Sequence, residues 1–192
     1  MAEKKAPSQG PVTRRDMLVS ASTVGAALAA AGAVRGALAA GETEAAGFQL
    51  NDLRQIAFVV KDIEVAAKRF AALFGAKVPN VITTDPVEQA HTVYRGKPTP
   101  ARAKLAFFRF GSMAIELIEP IGGPSTWREA LEKNGEGIHH IAFHVADMKQ
   151  ALAALNKLGF ETIQTGDFTG GFYAYVDTTP ALCTVVELLA SA

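Results

Sequence analysis

Ile138-His139-His140-Ile141-Ala142-Phe143-His144-Val145-Ala146-Asp147 reads as a strand running into a helix. Asp147 is a helix-capping residue type. The apolar residues behind it, Met148, Ala151, Leu152, Leu155 and Leu158, fall at helical spacing until Gly159 stops the pattern. A degenerate copy lies upstream, Leu53-Arg54-Gln55-Ile56-Ala57-Phe58-Val59-Val60-Lys61-Asp62. Aligning the two makes Ile-Ala-Phe identical and sets His140 over Gln55 and Asp147 over Asp62, each pair 85 residues apart. The upstream helix shows Ile63, Ala66, Ala67, Phe70, Leu73 and Phe74 on one stripe and ends at Gly75.

Working outward, Lys104–Phe110 and Met113–Glu119 read as strands joined by a tight hairpin at Gly111-Ser112. The polar stretch 80–102, with Pro86, Pro98 and Pro100, is expected to hold one short strand and an exposed loop. Gly122-Gly123-Pro124 breaks structure, Ser125 can cap, and Trp127–Lys133 suits a short helix. The second copy closes with strands at Glu161–Thr165, Phe172–Asp177 and Thr184–Leu189, with a mobile Gly-rich loop expected over Gly166–Gly171. The fold class is therefore α+β: two βαβββ modules, 51–120 and 138–190, joined by a connector at 121–137 and together forming a domain over 51–190. Each unit leaves one sheet face uncovered by its own helix, so a pair can enclose a shared cavity.

Strand residues alternate faces. His139, Ile141, Phe143 and Val145 form a mostly bulky face suited to helix packing, leaving Ile138, His140, Ala142 and His144 on the other. Gln55, Ala57 and Val59 likewise oppose Ile56, Phe58 and Val60. Glu116 lies between Ile115 and Leu117, and Glu187 between Val186 and Leu188, each directed away from its apolar neighbours. Gln55, Glu116, His140 and Glu187 thus occupy corresponding cavity-facing positions. Each alone reads as readily as an exposed or hydrogen-bonded strand residue; their recurrence at repeat-related positions argues for a site. A carboxylate there is costly to bury unless paired or metal-bound. Two carboxylates, one imidazole and one amide oxygen suit a divalent metal such as Mn, Co, Ni, Zn or Mg. Arg109 shares the Leu105/Phe107 face, where it suits an anionic substrate or a solvated strand end. His144, Tyr173 and Tyr175 either line the cavity or pack beside it. The single cysteine, Cys183, excludes an internal disulfide and reads as a small apolar strand residue.

The first forty residues follow different rules. Lys4 and Lys5, then Arg14-Arg15, precede an Ala- and Gly-rich apolar run from Met17 to Val34, and Ala37-Leu38-Ala39 offers a small-residue cleavage site. This is the pattern of a twin-arginine export signal over 1–40, with a flexible lead-in over 41–50. The expected location is periplasmic or secreted, with no stable membrane span after signal removal. Removing 1–40 takes five basic and two acidic residues from totals of 19 each, leaving a mildly acidic chain without basic runs. Nucleic acid is not an expected partner; a homodimer is a compatible assembly.

Ile115-Glu116-Leu117-Ile118-Glu119-Pro120 and Lys133-Asn134-Gly135-Glu136-Gly137-Ile138-His139-His140-Ile141-Ala142-Phe143 carry a family resemblance. The chain resembles the vicinal oxygen chelate superfamily over essentially all of 51–190, and within it looks most like methylmalonyl-CoA epimerase. The resemblance implies paired βαβββ modules in a curved sheet around a metal, with ligands falling on Gln55, Glu116, His140 and Glu187. Epimerases usually carry His where this chain has Gln55; Gln with Glu, His and Glu is a set seen in some glyoxalase I enzymes. It also implies an isomerase- or lyase-type enzyme whose metal stabilises the enediolate formed when a base removes the proton beside a carbonyl. Epimerase-like proteins carry a Glu at the position of Leu105, so the expected base is Glu187, with Glu116 the alternative. The implied partner is a small molecule with adjacent oxygen donors. Coenzyme A and glutathione thioesters are cytoplasmic, so an exported homologue is expected to act on something else. The rival expectation is a non-catalytic binding protein that sequesters a small ligand, as bleomycin-resistance relatives do.

Overall fold

Both helices of the repeat form where the capping residues place them. In the computed structural model, which describes residues 48–192, β1 (Leu53–Val59) leads into α1 (Ile63–Phe74). The Asp62 side chain accepts from the Val65 N–H, and Gly75 ends the helix at φ 62°. The equivalent strand β7 (Gly137–His144) leads into α4 (Met148–Lys157), where Asp147 accepts from the Gln150 N–H. The first module continues through β2 (Ile82–Thr83), α2 (Val87–Ala90), β3 (Val93–Tyr94), β4 (Lys97–Pro98), β5 (Arg102–Phe110) and β6 (Met113–Ile121). The connector helix α3 (Thr126–Asn134) is capped by Ser125, as expected. The second module ends with β8 (Thr162–Phe168), β9 (Gly171–Val176), α5 (Thr179–Leu182) and β10 (Val185–Ser191).

All ten strands join one curled, half-barrel sheet in the order β2-β5-β6-β1-β7-β10-β9-β8-β3-β4. β1 and β7 meet antiparallel at its centre, and each has its own module's last strand parallel on its other side, β6 and β10. Helices cover the convex face. Ile63, Ala66, Ala67 and Phe70 of α1 pack on Phe58, Phe108 and Leu117, while Ala151 and Leu155 of α4 pack on Val176, Val186 and Leu188. Burying each leucine of this kind contributes roughly 2 kcal/mol. The concave face carries a third cluster, Ala57, Val59, Ala103, Ile118, Trp127, Ile163 and Tyr175. No helix among the described residues is long and apolar enough to cross a membrane. The expected export signal lies outside the described residues. Of the expected lead-in, Phe48 and Leu50 pack beside the α4 cluster.

Three expectations change. The stretch 80–102 is not simply an exposed loop: β2 extends one end of the sheet against β5, and β3 and β4 extend the other end against β8. The mobile loop expected over Gly166–Gly171 is a tight hairpin, with Gly166 inside β8 and Gly171 opening β9. Gly166 belongs to a strand because the Tyr173 phenol lies on it; a Cβ there would stand 2.6 Å from the ring and hydroxyl. Cys183 is exposed, in a left-handed turn (φ 58°) after α5, outside any strand.

Candidate metal centre

Strand register brings the four candidate ligands together. Ala114, Gln55, Ala142 and Glu187 pair laterally in one row across β6, β1, β7 and β10. The next row runs Phe107, Glu116, Ala57 and His140 across β5, β6, β1 and β7. Paired residues share a face, so all four candidates project into the concave side from the four central strands. Ala57 and Ala142, both fully buried, stand between them and leave the space that the longer side chains occupy.

Two irregularities interrupt the β1–β7 pairing, one at Arg54 of β1 and one at His139 of β7, and the second falls beside the site. Ala57 pairs with His140 and Phe58 with Ile138, so the β1–β7 register skips His139. Such a bulge turns two consecutive side chains toward the same side. His139 therefore does not join the helix-packed face, as strict alternation predicts. Its ring lies 5.4 Å from Tyr175, and its Nδ1 is 2.9 Å from the Nδ1 of His140.

His140 is fully buried, and Glu116 and Glu187 are 6% and 4% exposed. His140 Nε2 stands 3.0 Å from Glu187 Oε2 and 3.5 Å from Glu116 Oε2. Burial alone would lower the His140 pKa, but the Glu187 and Glu116 carboxylates override it and push it up to about 9. Burial raises the Glu116 carboxyl and the nearby Glu187 charge adds to the rise, with His140 offsetting part of it. Burial and the His140 charge push His139 down to about 3, so its imidazole is neutral.

The site opens into a cavity of about 540 Å³ between the modules. Gln55, Glu116 and Glu187 line its floor; Leu105, Phe107, Trp127, Tyr173, Tyr175 and Leu189 line its walls. Burial raises the Tyr175 phenol well above its usual range and takes Tyr173 up to about 12. Both hydroxyls therefore keep their protons. Tyr175 accepts a 2.9 Å hydrogen bond from the Trp127 indole N–H, and Tyr173 accepts from Gln164 at 3.3 Å. The amide of Gln164 is held in turn by the Thr126 N–H at 2.9 Å. Arg109 also lines the cavity and is exposed, its guanidinium 6.0 Å from the Phe107 ring. His144 does not line it: its Nδ1 is 3.7 Å from Asp52 at the end of β7, beside Ser191.

Sequence reasoning missed the contribution of segment 82–92. Thr83, Thr84, Asp85, Ala90 and Thr92 form part of the cavity wall. His91, given no role from sequence, holds this segment to β8 through a 2.7 Å contact with Asp167. Trp127 was legible as a helix residue, but its bond to Tyr175 spans 48 residues and has no local signal.

A family model described as Glyoxalase/Bleomycin resistance protein/Dioxygenase superfamily matches residues 54–175. The chain belongs to that superfamily. The ethylmalonyl-CoA/methylmalonyl-CoA epimerase of Cereibacter sphaeroides is 30% identical over 116 residues, covering 60% of this chain and 76% of that protein. The 2-epi-5-epi-valiolone epimerase of an Actinomyces species is 28% identical over 134 residues, 66% of this chain and 73% of that one. An uncharacterized Bacillus subtilis protein, YqjC, is 44% identical over 55 residues, a match spanning only 29% of this chain and 39% of that protein. Among solved structures, the methylmalonyl-CoA epimerase of Mycobacterium tuberculosis superposes with a TM-score of 0.55 at 19% identity, over 77% of this chain and 92% of that one. That likeness is one of fold.

The donor set fits the divalent metal that this superfamily uses. Glu116, His140 and Glu187 each offer a ligand atom, and these atoms lie within 4.8 Å of one another. His140 Nε2 and Glu187 Oε2 are both buried and, despite their proximity, neither has a hydrogen-bond partner among the described residues. Buried polar atoms left in this state are expensive, and a cation between them would satisfy both.

Proposed function

We propose that this protein is an exported, metal-dependent enzyme of the epimerase or glyoxalase-like lyase type, acting on a small substrate with adjacent oxygen donors. The observation that carries the reading is the convergence of His140 Nε2 and Glu187 Oε2, both buried and without hydrogen-bond partners, at the floor of a cavity. Gln55, Glu116, His140 and Glu187 would hold the ion. Once bound, it would act as a Lewis acid, stabilising negative charge that develops on a substrate carbonyl oxygen.

The chain's own residues supply the rest. Glu187, swung away from the ion, would take the proton from the carbon beside the carbonyl on its freed carboxylate, and Glu116 is the alternative base. Tyr175 accepts from Trp127, which leaves its O–H available to donate to a substrate oxygen in the cavity. Leu105, Phe107, Trp127 and Leu189 keep the floor apolar and poor in water. Arg109 lies on the wall where it can meet an anionic substituent. Leu105 supplies no second base, so proton removal and return both fall to one carboxylate. The relatives above are named as an ethylmalonyl-CoA/methylmalonyl-CoA epimerase and a 2-epi-5-epi-valiolone epimerase; export favours a substrate other than a coenzyme A thioester.

Leu105 in the cavity wall also favours a second reading, a binding protein that sequesters its ligand without turning it over. Metal analysis of purified wild type and Glu187→Gln separates the readings when combined with proton exchange in D2O, followed by NMR on small α-hydroxy and dicarbonyl compounds. The enzyme reading expects stoichiometric divalent metal in the wild type and exchange at the carbon beside the carbonyl, lost in Glu187→Gln. Metal-free wild type that gains no stability from added Mn2+, Co2+, Ni2+, Zn2+ or Mg2+ would sink it. Binding without exchange would support sequestration. For export, the supporting feature is the Arg14-Arg15 segment with its apolar run and Ala37-Leu38-Ala39. Arg14→Lys/Arg15→Lys should remain in the cytoplasm in a fractionation assay, and its arrival in the periplasm would overturn the twin-arginine route.

A further inference from the structure

The β7 bulge creates a contact that none of the ligand assignments uses. His139 is 4% exposed, carries no ligand position, and meets His140 through Nδ1 at 2.9 Å. The two rings are nearly perpendicular, at 83° with centroids 5.2 Å apart. His140 presents Nε2 to Glu116 and Glu187, so Nδ1 is the nitrogen turned away from the carboxylates.

A neutral imidazole carries its proton on one nitrogen and a lone pair on the other. For Nε2 of His140 to ligate a cation, the proton must be on Nδ1, and the hydrogen-bond acceptor that faces it at 2.9 Å is the Nδ1 lone pair of His139. His139 must then hold its own proton on Nε2. The opposite tautomer of His139 would bring an N–H against His140 Nδ1 and drive the His140 proton to Nε2, where it blocks ligation. The tautomer of one ring therefore selects the tautomer of the other.

We propose that His139 is the positioning residue of the metal centre: by accepting from His140 Nδ1–H it fixes the ring orientation and the tautomer that expose Nε2 as a ligand. This rests on the metal-binding reading above. A ligating histidine commonly donates its second N–H to a carboxylate, carbonyl or water; here a second imidazole, brought to the same side by one skipped residue, takes that place. Tyr175, 5.4 Å from His139 and 5.0 Å from His140, packs against both rings and limits their rotation.

The test is Co2+ affinity, measured calorimetrically on wild type, His139→Leu and His139→Asn. Leu and Asn have similar shape and remove the same ring, but only Asn offers an oxygen to accept from His140 Nδ1–H. His139→Leu should weaken Co2+ binding by about 10- to 100-fold, and His139→Asn should stay near wild type, while their metal-free unfolding midpoints fall together. If the wild type binds no Co2+, the metal centre itself fails and this role with it. If the wild type binds and both variants match it, or both weaken equally, the metal centre stands and the role of His139 is overturned. Should His139→Leu fail to fold, 15N NMR of Zn2+-loaded wild type decides. A proton on His139 Nε2 and on His140 Nδ1 supports the assignment, and a proton on His139 Nδ1 overturns it.

Discussion

Gln55 in the first module is half-buried and faces open cavity, whereas its repeat counterpart His140 is fully buried beneath it. The two residues come from homologous strands that meet antiparallel at the sheet centre, yet their surroundings differ. β7 carries a bulge and a second imidazole at His139. β1 instead continues into a module whose inserted segment, 82–98, reaches around to the opposite sheet edge. The comparison teaches that duplication supplied the lattice of positions, through strand register, while the chemistry depends on unrepeated features: a second imidazole at the β7 bulge and one insertion.

The largest expected effects test whether the halves are equivalent as packing units. Leu117 and Leu188, each next to a candidate ligand and each fully buried against its own module's helix-side cluster, should cost about 2–5 kcal/mol when changed to Ala. Chemical denaturation should show one transition in both variants; separate transitions would mean that the modules unfold independently. The ligands should be less alike. Glu187→Gln should weaken Co2+ binding by more than the ~100-fold that marks loss of an outer-shell partner, and Gln55→Ala, which removes a neutral donor, by less. Equal losses in calorimetric titrations would make the two halves chemically symmetric after all.

Gly166→Ala should destabilise by about 1–3 kcal/mol, because Tyr173 must leave its place on β8. The displaced phenol should also enter the cavity and weaken small-ligand binding; an unchanged melting curve would show that the close approach is relieved by local adjustment. The smallest effect sharpens the comparison most directly. Asp62→Ala and Asp147→Ala remove equivalent side-chain caps and should each cost about 1 kcal/mol, read as a shift in denaturant midpoint. A clear inequality would locate the less robust module.

Much of this organisation is written in short-range patterns. The capped helices Ile63–Phe74 and Met148–Lys157 follow from Asp, a helical apolar stripe and a glycine stop. The paired modules and the common face of Gln55, Glu116, His140 and Glu187 follow from the repeat and from alternation, whereas the superfamily and its curved sheet follow from motif resemblance. Alternation assumes an unbroken register, and so it misplaced His139: whether a strand skips a residue depends on its partner strand. Alternation also left His144 either lining the cavity or packing beside it, and the end of β7 sets it beside Asp52. Segment 82–98 was obscure because its short strands pair with β5 and β8, the latter some seventy residues away, where no local propensity reports on them. Gly166 looked like a loop signal until Tyr173, its partner directly across the hairpin, supplied the reason for a missing side chain.

The placement of β2 and β4 has a consequence for association between molecules. A strand at a sheet border exposes unpaired backbone groups that can recruit another chain, and short or proline-bearing borders blunt that hazard. Here both borders are two-residue strands from one segment, and one of them ends in Pro98, which has no N–H to offer. The two ends of the sheet are thus guarded by one insertion in the first module, which leaves little backbone for a neighbouring chain to extend.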